Sequence, residues 1–403
     1  MKQVSVTLST YTADVSGVCS ALYELGGMVV IHDPSGCNST YNTHDEPRWY
    51  DMDSLVFISG LSQMDAIMGN DDKFIRDVVR AAKELNPRFI ALVRTPIPLM
   101  TGTDFEGISR VIEKQTGLPV FYFPTSGMHT YVSGVGMALE TVARKLVRDN
   151  MKDGKKKNNL HNQLKINILG ATPLDFSVNS TLDSIKKFLR QHFEIISTFA
   201  MGSTVEEIQK AGEADVNLVI SSVGVLAAKV LEERFHTPYV IGTPIRGFEN
   251  IIAEKLINTA WTKKSQTAYL DLEQTAQSSM QVSENTPIYI IGESVISQSL
   301  KAALAFRYGM DTTVICPLET EPEYFGKGVL LLSSEEEIKE EISKARMVIA
   351  DPIYKTICSE NVDFIPLPHE AFSGRIYRKE MPDLMNDNLS LCNGSKILYT
   401  KDR

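Results

Sequence analysis

Any chemistry in this sequence falls first to its cysteines. There are five: Cys19, Cys37, Cys316, Cys358 and Cys392. The N-terminus has no apolar core of signal-peptide length, so the chain reads as cytoplasmic, where thiols stay reduced. A special cysteine there is a metal ligand or a nucleophile rather than half of a disulfide. Cys37 lies in IHDPSGCNSTYNTHDEPRW, just past an apolar strand, and the Pro34-Ser35-Gly36 turn before it lets backbone approach a bulky ligand. Cys19 lies in SGVCSALYEL, where Ser16 can cap a helix. That cap would put Cys19 in the first turn, where the partial positive charge of a helix start favours thiolate. A helix followed by a short strand can bring the two thiols together. Spacing alone leaves the inert reading open, because no CxxC occurs and free cysteines are often core residues.

The other candidates are weaker. Core packing is the expectation for Cys316, at the end of an apolar strand, and for Cys358, on an expected helix. Cys392 is expected in an exposed tail. His32 and His44 flank Cys37 and can line the same site, in a supporting hydrogen-bonding role rather than as ligands. There is no HxxxH or HExxH zinc pattern and no Walker A loop; GTDFEGIS at Gly102 lacks the lysine that must reach phosphates. Gly134 and Gly136 follow no strand directly, so helix packing explains them better than a dinucleotide fingerprint.

These residues need a scaffold, and the chain repeats one phrase: apolar strand, Gly/Pro/Ser turn, amphipathic helix. That is the signature of β-α-β units with parallel sheets. Strands are expected at Met28–His32, Leu55–Ser59, Arg88–Val93 and Val120–Phe123, with a helix at Asp71–Leu85. After the polar stretch 149–164 come strands at Lys165–Leu169, Ile195–Phe199 and Val216–Ile220 and a helix at Val225–Phe235. After 274–286 come strands at Ile288–Ile291, Thr313–Cys316 and Met347–Ala350 and a helix at Ile296–Tyr308. The reading is α/β: three Rossmann-like domains over 1–150, 165–275 and 286–385, with a polar tail over 386–403. The first domain carries Cys19 and Cys37.

The balance of charge excludes whole function classes. With 41 Lys and Arg against 50 Asp and Glu, the net charge is −9, which argues against a nucleic-acid binder. The basic run Lys155–Lys157 reads as a solvated linker. Apolar runs are strand-sized, such as Gly328–Leu332, so no membrane span is expected.

Three passages of the first 150 residues resemble the nitrogenase component 1 superfamily. This family takes in cofactor-assembly scaffolds, dark-operative protochlorophyllide and chlorophyllide reductases, and a nickel-tetrapyrrole reductase. SGVCSALYEL is similar to the first cluster-cysteine segment. VVIHDPSGC is similar to the His-Gly-Pro-x-Gly-Cys loop, which makes Cys37 the second cluster cysteine. SGLSQMDAIMGNDDKFIRDVVRAAKELNPRFIALVRTPIP resembles the passage leading to a third cysteine. TSGMHTYVSGVGMALETVA, KINILG, VNLVISSVGVLAAKVLEERFHTPYV and IYIIGESVISQSLKAALAFRYGM follow the family's pattern over nearly all the rest.

The resemblance implies a repeated Rossmann-like fold and an iron–sulfur cluster, of the 4Fe–4S type, ligated by Cys19 and Cys37 and shared between chains. His32, Ser35, Gly36, His44 and Thr95 would line the site. It also departs from the family in two places. The third cysteine would fall near Thr95-Pro96 and is missing, and Ser221-Ser222 stand where a cofactor cysteine would follow the strand NLV. No iron–molybdenum cofactor is therefore expected. Two thiolates cannot complete a cluster that takes about four ligands, so a homodimer or a paralogous component 1 subunit would supply the rest. With no phosphate loop of its own, the chain would take low-potential electrons from an iron-protein-like ATPase reductase and reduce a substrate the sequence does not name. An assembly scaffold that holds a metallocluster without turnover is the alternative, and a binding module with purely structural cysteines is a third.

Overall fold

The computed structural model describes residues 5–34, 36, 45–149, 163–269, 287–321, 324, 326, 328–392 and 396–400. Ser35, Cys37 and His44 lie outside the described residues, as do Lys155–Lys157 and most of the two stretches expected as linkers.

Three parallel sheets follow one another along the chain. The first holds β1 (Met28–His32), β2 (Leu55–Ile58), β3 (Ile90–Arg94) and β4 (Val120–Phe123) in the order β2-β1-β3-β4. The second holds β5 (Leu164–Leu169), β6 (Phe193–Thr198), β7 (Val216–Val219), β8 (Tyr239–Ile241) and β9 (Gln266–Thr267) in the order β6-β5-β7-β8-β9. The third holds β10 (Ile288–Ile291), β11 (Thr313–Cys316), β12 (Val329–Leu331), β13 (Met347–Ala350) and β14 (Asp363–Pro366) in the order β12-β11-β10-β13-β14. The central strands β1, β7, β10 and β13 are buried along their whole length, as parallel strands covered on both faces must be. The expected α/β reading with Rossmann-like sheets holds. The stretch 386–403, expected as a polar tail, contains an antiparallel pair, β15 (Asn388–Cys392) and β16 (Lys396–Thr400).

Helices cover the sheets. Around the first are α1 (Asp14–Leu22), α2 (Gln63–Met68), α3 (Asp71–Leu85), α4 (Pro96–Thr101), α5 (Phe105–Thr116) and α6 (Tyr131–Lys145). Residues of β1 alternate between two cores. Met28 and Val30 join Phe74, Val78, Phe105 and Ile112 of α3 and α5. Val29 and Ile31 join α1 and α6 in a larger core that continues into the second and third sheets. The helices α1 and α6 approach closely because two glycines meet there. A methyl group on Gly134 would sit 1.9 Å from the Asp14 carbonyl oxygen, and one on Gly17 would sit 2.6 Å from that of Tyr131. Helix packing is thus the reason for Gly134, as its position predicts.

The second sheet carries α7 (Pro173–Phe176), α8 (Thr181–Leu189), α9 (Val205–Ile208), α10 (Val225–Phe235) and α11 (Glu249–Thr262). The third carries α12 (Ser294–Tyr308), α13 (Glu335–Glu341) and α14 (Glu370–Ser373). Helix α10 packs on α6, joining the first and second units.

Candidate functional site

In open parallel sheets, ligands bind beyond the carboxyl ends of the strands, at the point where strand order reverses. Each of the three orders has such a point: β1/β3, β5/β7 and β10/β13. All three carry polar side chains. At β1/β3 these are Asp33 and Thr95; at β5/β7, Asp175 and Ser221; at β10/β13, Glu293 and Asp351.

The first point lies at the end of the strand that precedes Cys37 in the sequence. Thr95 is fully buried, and its hydroxyl is 2.8 Å from both the His32 carbonyl and the Asp33 carboxylate. His32 ends β1 on the face opposite Cys19. Its ring stacks on Phe74 at 4.0 Å and meets the edge of Phe105 at 5.8 Å, while Nδ1 is 2.7 Å from the Ser59 hydroxyl. Burial lowers its pKa to about 4, so the ring is neutral at pH 7. Gly36 is described, and a Cβ there would meet nothing within 4 Å.

Cys19 does not sit where the sequence places it. Helix α1 starts at Asp14 after Ala13, with no side-chain cap, so Ser16 lies inside the helix and Cys19 in the second turn. Asp14 fixes that start: its carboxylate accepts from Val15, Ser126 and Gly127 N–H at 2.8–2.9 Å. An acid in the first turn, tied also to a second loop, outcompetes a serine two residues on. Cys19 is fully buried among apolar side chains, and burial, then the Glu46 carboxylate, push its thiol well above the ordinary range. Glu46 is itself held by Arg48 at 2.6 Å, and Arg48 also donates to Glu24 at 2.9 Å and to the Ser20 carbonyl at 2.7 Å.

Thiolate ligation needs deprotonated, converging donors. The described residues supply one sealed thiol here, and no group of three His, Cys, Asp or Glu among them could hold a metal ion. By themselves they do not make a cluster site; the rest of the expected ligand set turns on Cys37. Cys316 is a buried core thiol ending β11. Cys358 is not on an α-helix but follows the 3-10 turn Pro352–Ile357, half-buried, with Sγ 3.4 Å from the Tyr354 carbonyl.

The second and third switch points face each other, and sequence reasoning missed the site they make. Asp175, on α7 after β5, accepts from the Tyr131 hydroxyl at 2.5 Å and from the Ser221 hydroxyl at 2.6 Å. Glu293, after β10, accepts from Ser222 N–H at 3.0 Å and caps α12 through Ile296 N–H at 2.8 Å. His369, after β14, has Nε2 3.3 Å from the Asp175 carboxylate, but in a geometry that makes no hydrogen bond, and the atom is otherwise unpartnered. Asp351, after β13, accepts from His369 N–H and the Ser373 hydroxyl, each at 2.7 Å. Tyr131, Asp175, Ser221, Glu293 and Asp351 are nearly or wholly buried. A cavity of about 40 Å³ lies between Asp175, Glu293 and His369. The available signal was the polar residue after each apolar strand: ILGATPLD, VISSVG, IIGES, VIADP, IPLPHE. Ser221, standing where a cofactor cysteine would, is engaged with a carboxylate. Hydroxyl and carboxylate donors around water-sized space do not fit a thiolate-held metallocluster.

One surface feature belongs to the first switch point. Leu61 N–H donates to the Asp33 carbonyl at 2.9 Å just before α2, and Thr95 opens α4, so both short helices spring from Asp33. They pack side by side and expose Met64, Ile67, Met68 and Met100, with Met68 72% and Met100 86% accessible. Methionine is flexible and polarizable, and exposed apolar clusters of this kind occur at protein-binding surfaces.

Comparison with known proteins agrees with this architecture. The family model for nitrogenase component 1 type oxidoreductase matches residues 16–364. The nitrogenase molybdenum-iron protein alpha chain of Methanothermobacter thermautotrophicus is 25% identical over 52% of this chain and 47% of its own length. The nitrogenase iron-molybdenum cofactor biosynthesis protein NifE of Clostridium pasteurianum is 24% identical over 57% and 51%. A light-independent protochlorophyllide reductase subunit of Nostoc punctiforme is 23% identical over 44% and 35%. The chain spans about half the length, or less, of these curated relatives. The solved structure of nitrogenase Cp1 at pH 6.5 superposes over 94% of this chain and 89% of that one, with a TM-score of 0.65 at 16% identity. At that identity the likeness speaks for the fold.

Proposed function

The chain belongs to the nitrogenase component 1 type oxidoreductases, and we propose that it is the substrate-side subunit of a two-component reductase. In this reading Cys19 and Cys37 ligate an iron–sulfur cluster at a subunit interface, with Thr95, Gly36, Ser35, His32 and His44 around it; the Cys19 thiol, sealed in the single chain, must open to the interface and release its proton when the cluster binds. A homodimer or a paralogous component 1 chain completes the ligands. A separate iron-protein-like ATPase delivers the electrons. When bound, such a cluster relays single electrons.

The observation that carries the reading is the apolar methionine face on α2 and α4. It stands on the same strand ends as Thr95 and Asp33, at the end of β1, the strand that precedes Cys37 in the sequence. A face made for another protein, set beside the expected cluster ligands, suits a chain that receives electrons from a partner. The three units 1–150, 165–275 and 286–385 then divide the work: the first meets partners, and the other two enclose the interdomain cavity. A scaffold reading would use that cavity to store a metallocluster, and about 40 Å³ lined by hydroxyls and carboxylates is poorly made for it.

The test is anaerobic purification with iron and sulfide analysis. Cys19→Ala and Cys37→Ala should each abolish iron and the brown chromophore, and Cys316→Ala should not. Purified alone, the chain should not hydrolyse ATP. Iron retained in both cysteine variants would sink the cluster assignment, and ATP turnover by the chain itself would sink the two-component reading.

A further inference from the structure

We propose that Asp175 and Glu293 hold a single proton between them, and that this pair, with His369 donating across the cavity, is the acid that serves the interdomain cleft. The proposal rests on the reductive reading above, since each electron delivered to a substrate must be matched by a proton.

The argument starts from charge. Asp175 and Glu293 line one cavity at the meeting of the second and third sheets, and among the described residues no Lys or Arg lines it with them. Neighbouring serines tie the two acids together: Ser221 donates its hydroxyl to Asp175 and Ser222 its N–H to Glu293. Arg378, which follows His369 by nine residues, is committed to Glu370 through both carboxylate oxygens. Two buried carboxylates in one site, without a cation, oppose each other's ionisation, and a shared proton relieves the repulsion.

His369 does not supply it. Its Nδ1 accepts from Ala371 N–H at 3.2 Å, which leaves Nε2 to carry the ring hydrogen. That Nε2–H is buried, misses Asp175 in angle at 3.3 Å, and has no partner. It is a donor looking for an acceptor in the cavity. About 40 Å³ holds roughly three or four waters at about 10–15 Å³ each, enough to join His369, Asp175 and Glu293.

A third buried carboxylate stands nearby: Asp351, raised by burial, is taken up by His369 N–H and the Ser373 hydroxyl. Tyr131, Tyr269 and Cys316 are all pushed above their ordinary values, by burial first and with a further push from these carboxylates. Glu293 is the acid raised in the same way, by burial and then by Asp175. The transfer step breaks the O–H bond on Glu293 and forms a bond from that hydrogen, through water, to a substrate atom that has received its electron from the iron-protein reductase. The pair is left doubly ionised and recovers its proton from solvent.

Infrared titration of the full chain in heavy water reads this proton without clusters, reductase or substrate, so its outcome is separable from that of the function above. Wild type should keep a protonated-carboxyl band well above the pH at which exposed Asp and Glu lose theirs. Glu293→Gln, which keeps the acceptor oxygen that caps α12, should lose the band, and exposed Glu106→Gln should retain it. Asp175→Asn removes the like charge and should move the band to lower pH; this variant carries the test if Glu293→Gln does not fold. Absence of the band in wild type, or a band unmoved by Asp175→Asn, would overturn the proposal.

Discussion

The strand ends of the first sheet and those of the second and third are built alike and set in different surroundings. In both, a carboxylate after one central strand accepts a hydroxyl from the neighbouring strand's end: Thr95 to Asp33 in the first, Ser221 to Asp175 in the second. The first pair opens onto short helices with bare methionines. The second is capped by another domain's acid and histidine. Topology decides that polar groups gather at a switch point; what lies across from it decides whether the point stands open or is enclosed.

The sharpest way to break the contrast is to loosen the joint that both regions share. Helix α6 begins at Tyr131, which bonds Asp175, and lies against α1, which carries Cys19. Gly134→Ala would force a methyl against the Asp14 carbonyl at 1.9 Å, with backbone on both sides and no side chain free to yield. We expect a loss of about 3 kcal/mol, seen as a lowered thermal midpoint, and a shift of the interdomain acid along with it. A wild-type midpoint would mean the helices can part at no cost.

Acid should act on the first region through one side chain. His32 has a folded pKa of about 4 against 6.5 for the free group. The unfolded chain therefore binds the proton first as pH falls. The stability that neutral His32 confers is complete above about pH 6.5 and is lost progressively down to about pH 4, in total at most about 3 kcal/mol. His32→Phe should keep the stack on Phe74 and remove this part of the acid sensitivity. Denaturant midpoints of the two proteins between pH 7 and pH 4.5 check it; parallel curves would show that His32 is not the group.

The strands β1, β4, β10, β11 and β13 and the helices α3 and α10 were legible because period and punctuation agreed there. Short strands such as β8 and β9 were not, since two or three residues carry no period. The place of Cys19 in its helix was misjudged, because a serine inside the helix looks like a cap and Asp14 gains its strength from Ser126 and Gly127, more than a hundred residues away. The interdomain acids were invisible for the same kind of reason. Asp175, Glu293 and His369 sit singly after three different strands, and nothing local says that two sheets turn those ends toward each other.

Removing the hydroxyl at each switch point compares them directly. Thr95→Val takes a donor away from the buried Asp33 carboxylate and should cost about 1–2 kcal/mol. Ser221→Ala should cost less than this, because Asp175 keeps Tyr131 and shares a proton with Glu293. Chemical denaturation of the two variants at pH 7 ranks them. Equal costs would mean that the junction has no proton to rearrange.

The smallest effect on stability is expected where the functional effect is largest. Met68 and Met100 stand mostly in solvent, so they contribute little to the core. Replacing both with Glu touches no buried contact, and surface changes of this kind stay within about 0.5 kcal/mol. A docking face responds differently. Two carboxylates in the middle of an apolar patch must be desolvated when a partner covers it, and buried charge without a counter-charge opposes association strongly. Met68→Glu/Met100→Glu should therefore unfold like wild type while losing ATP-dependent electron uptake from the reductase at least about tenfold, the equivalent of 1.4 kcal/mol of binding. Placing the same two charges at Ile376 and Trp261, exposed apolar residues of the other units, is the matched control and should leave uptake unchanged. If the α2/α4 variant takes up electrons as well as the control, the first switch point is not a docking edge, and the distinction between the two regions loses its functional half.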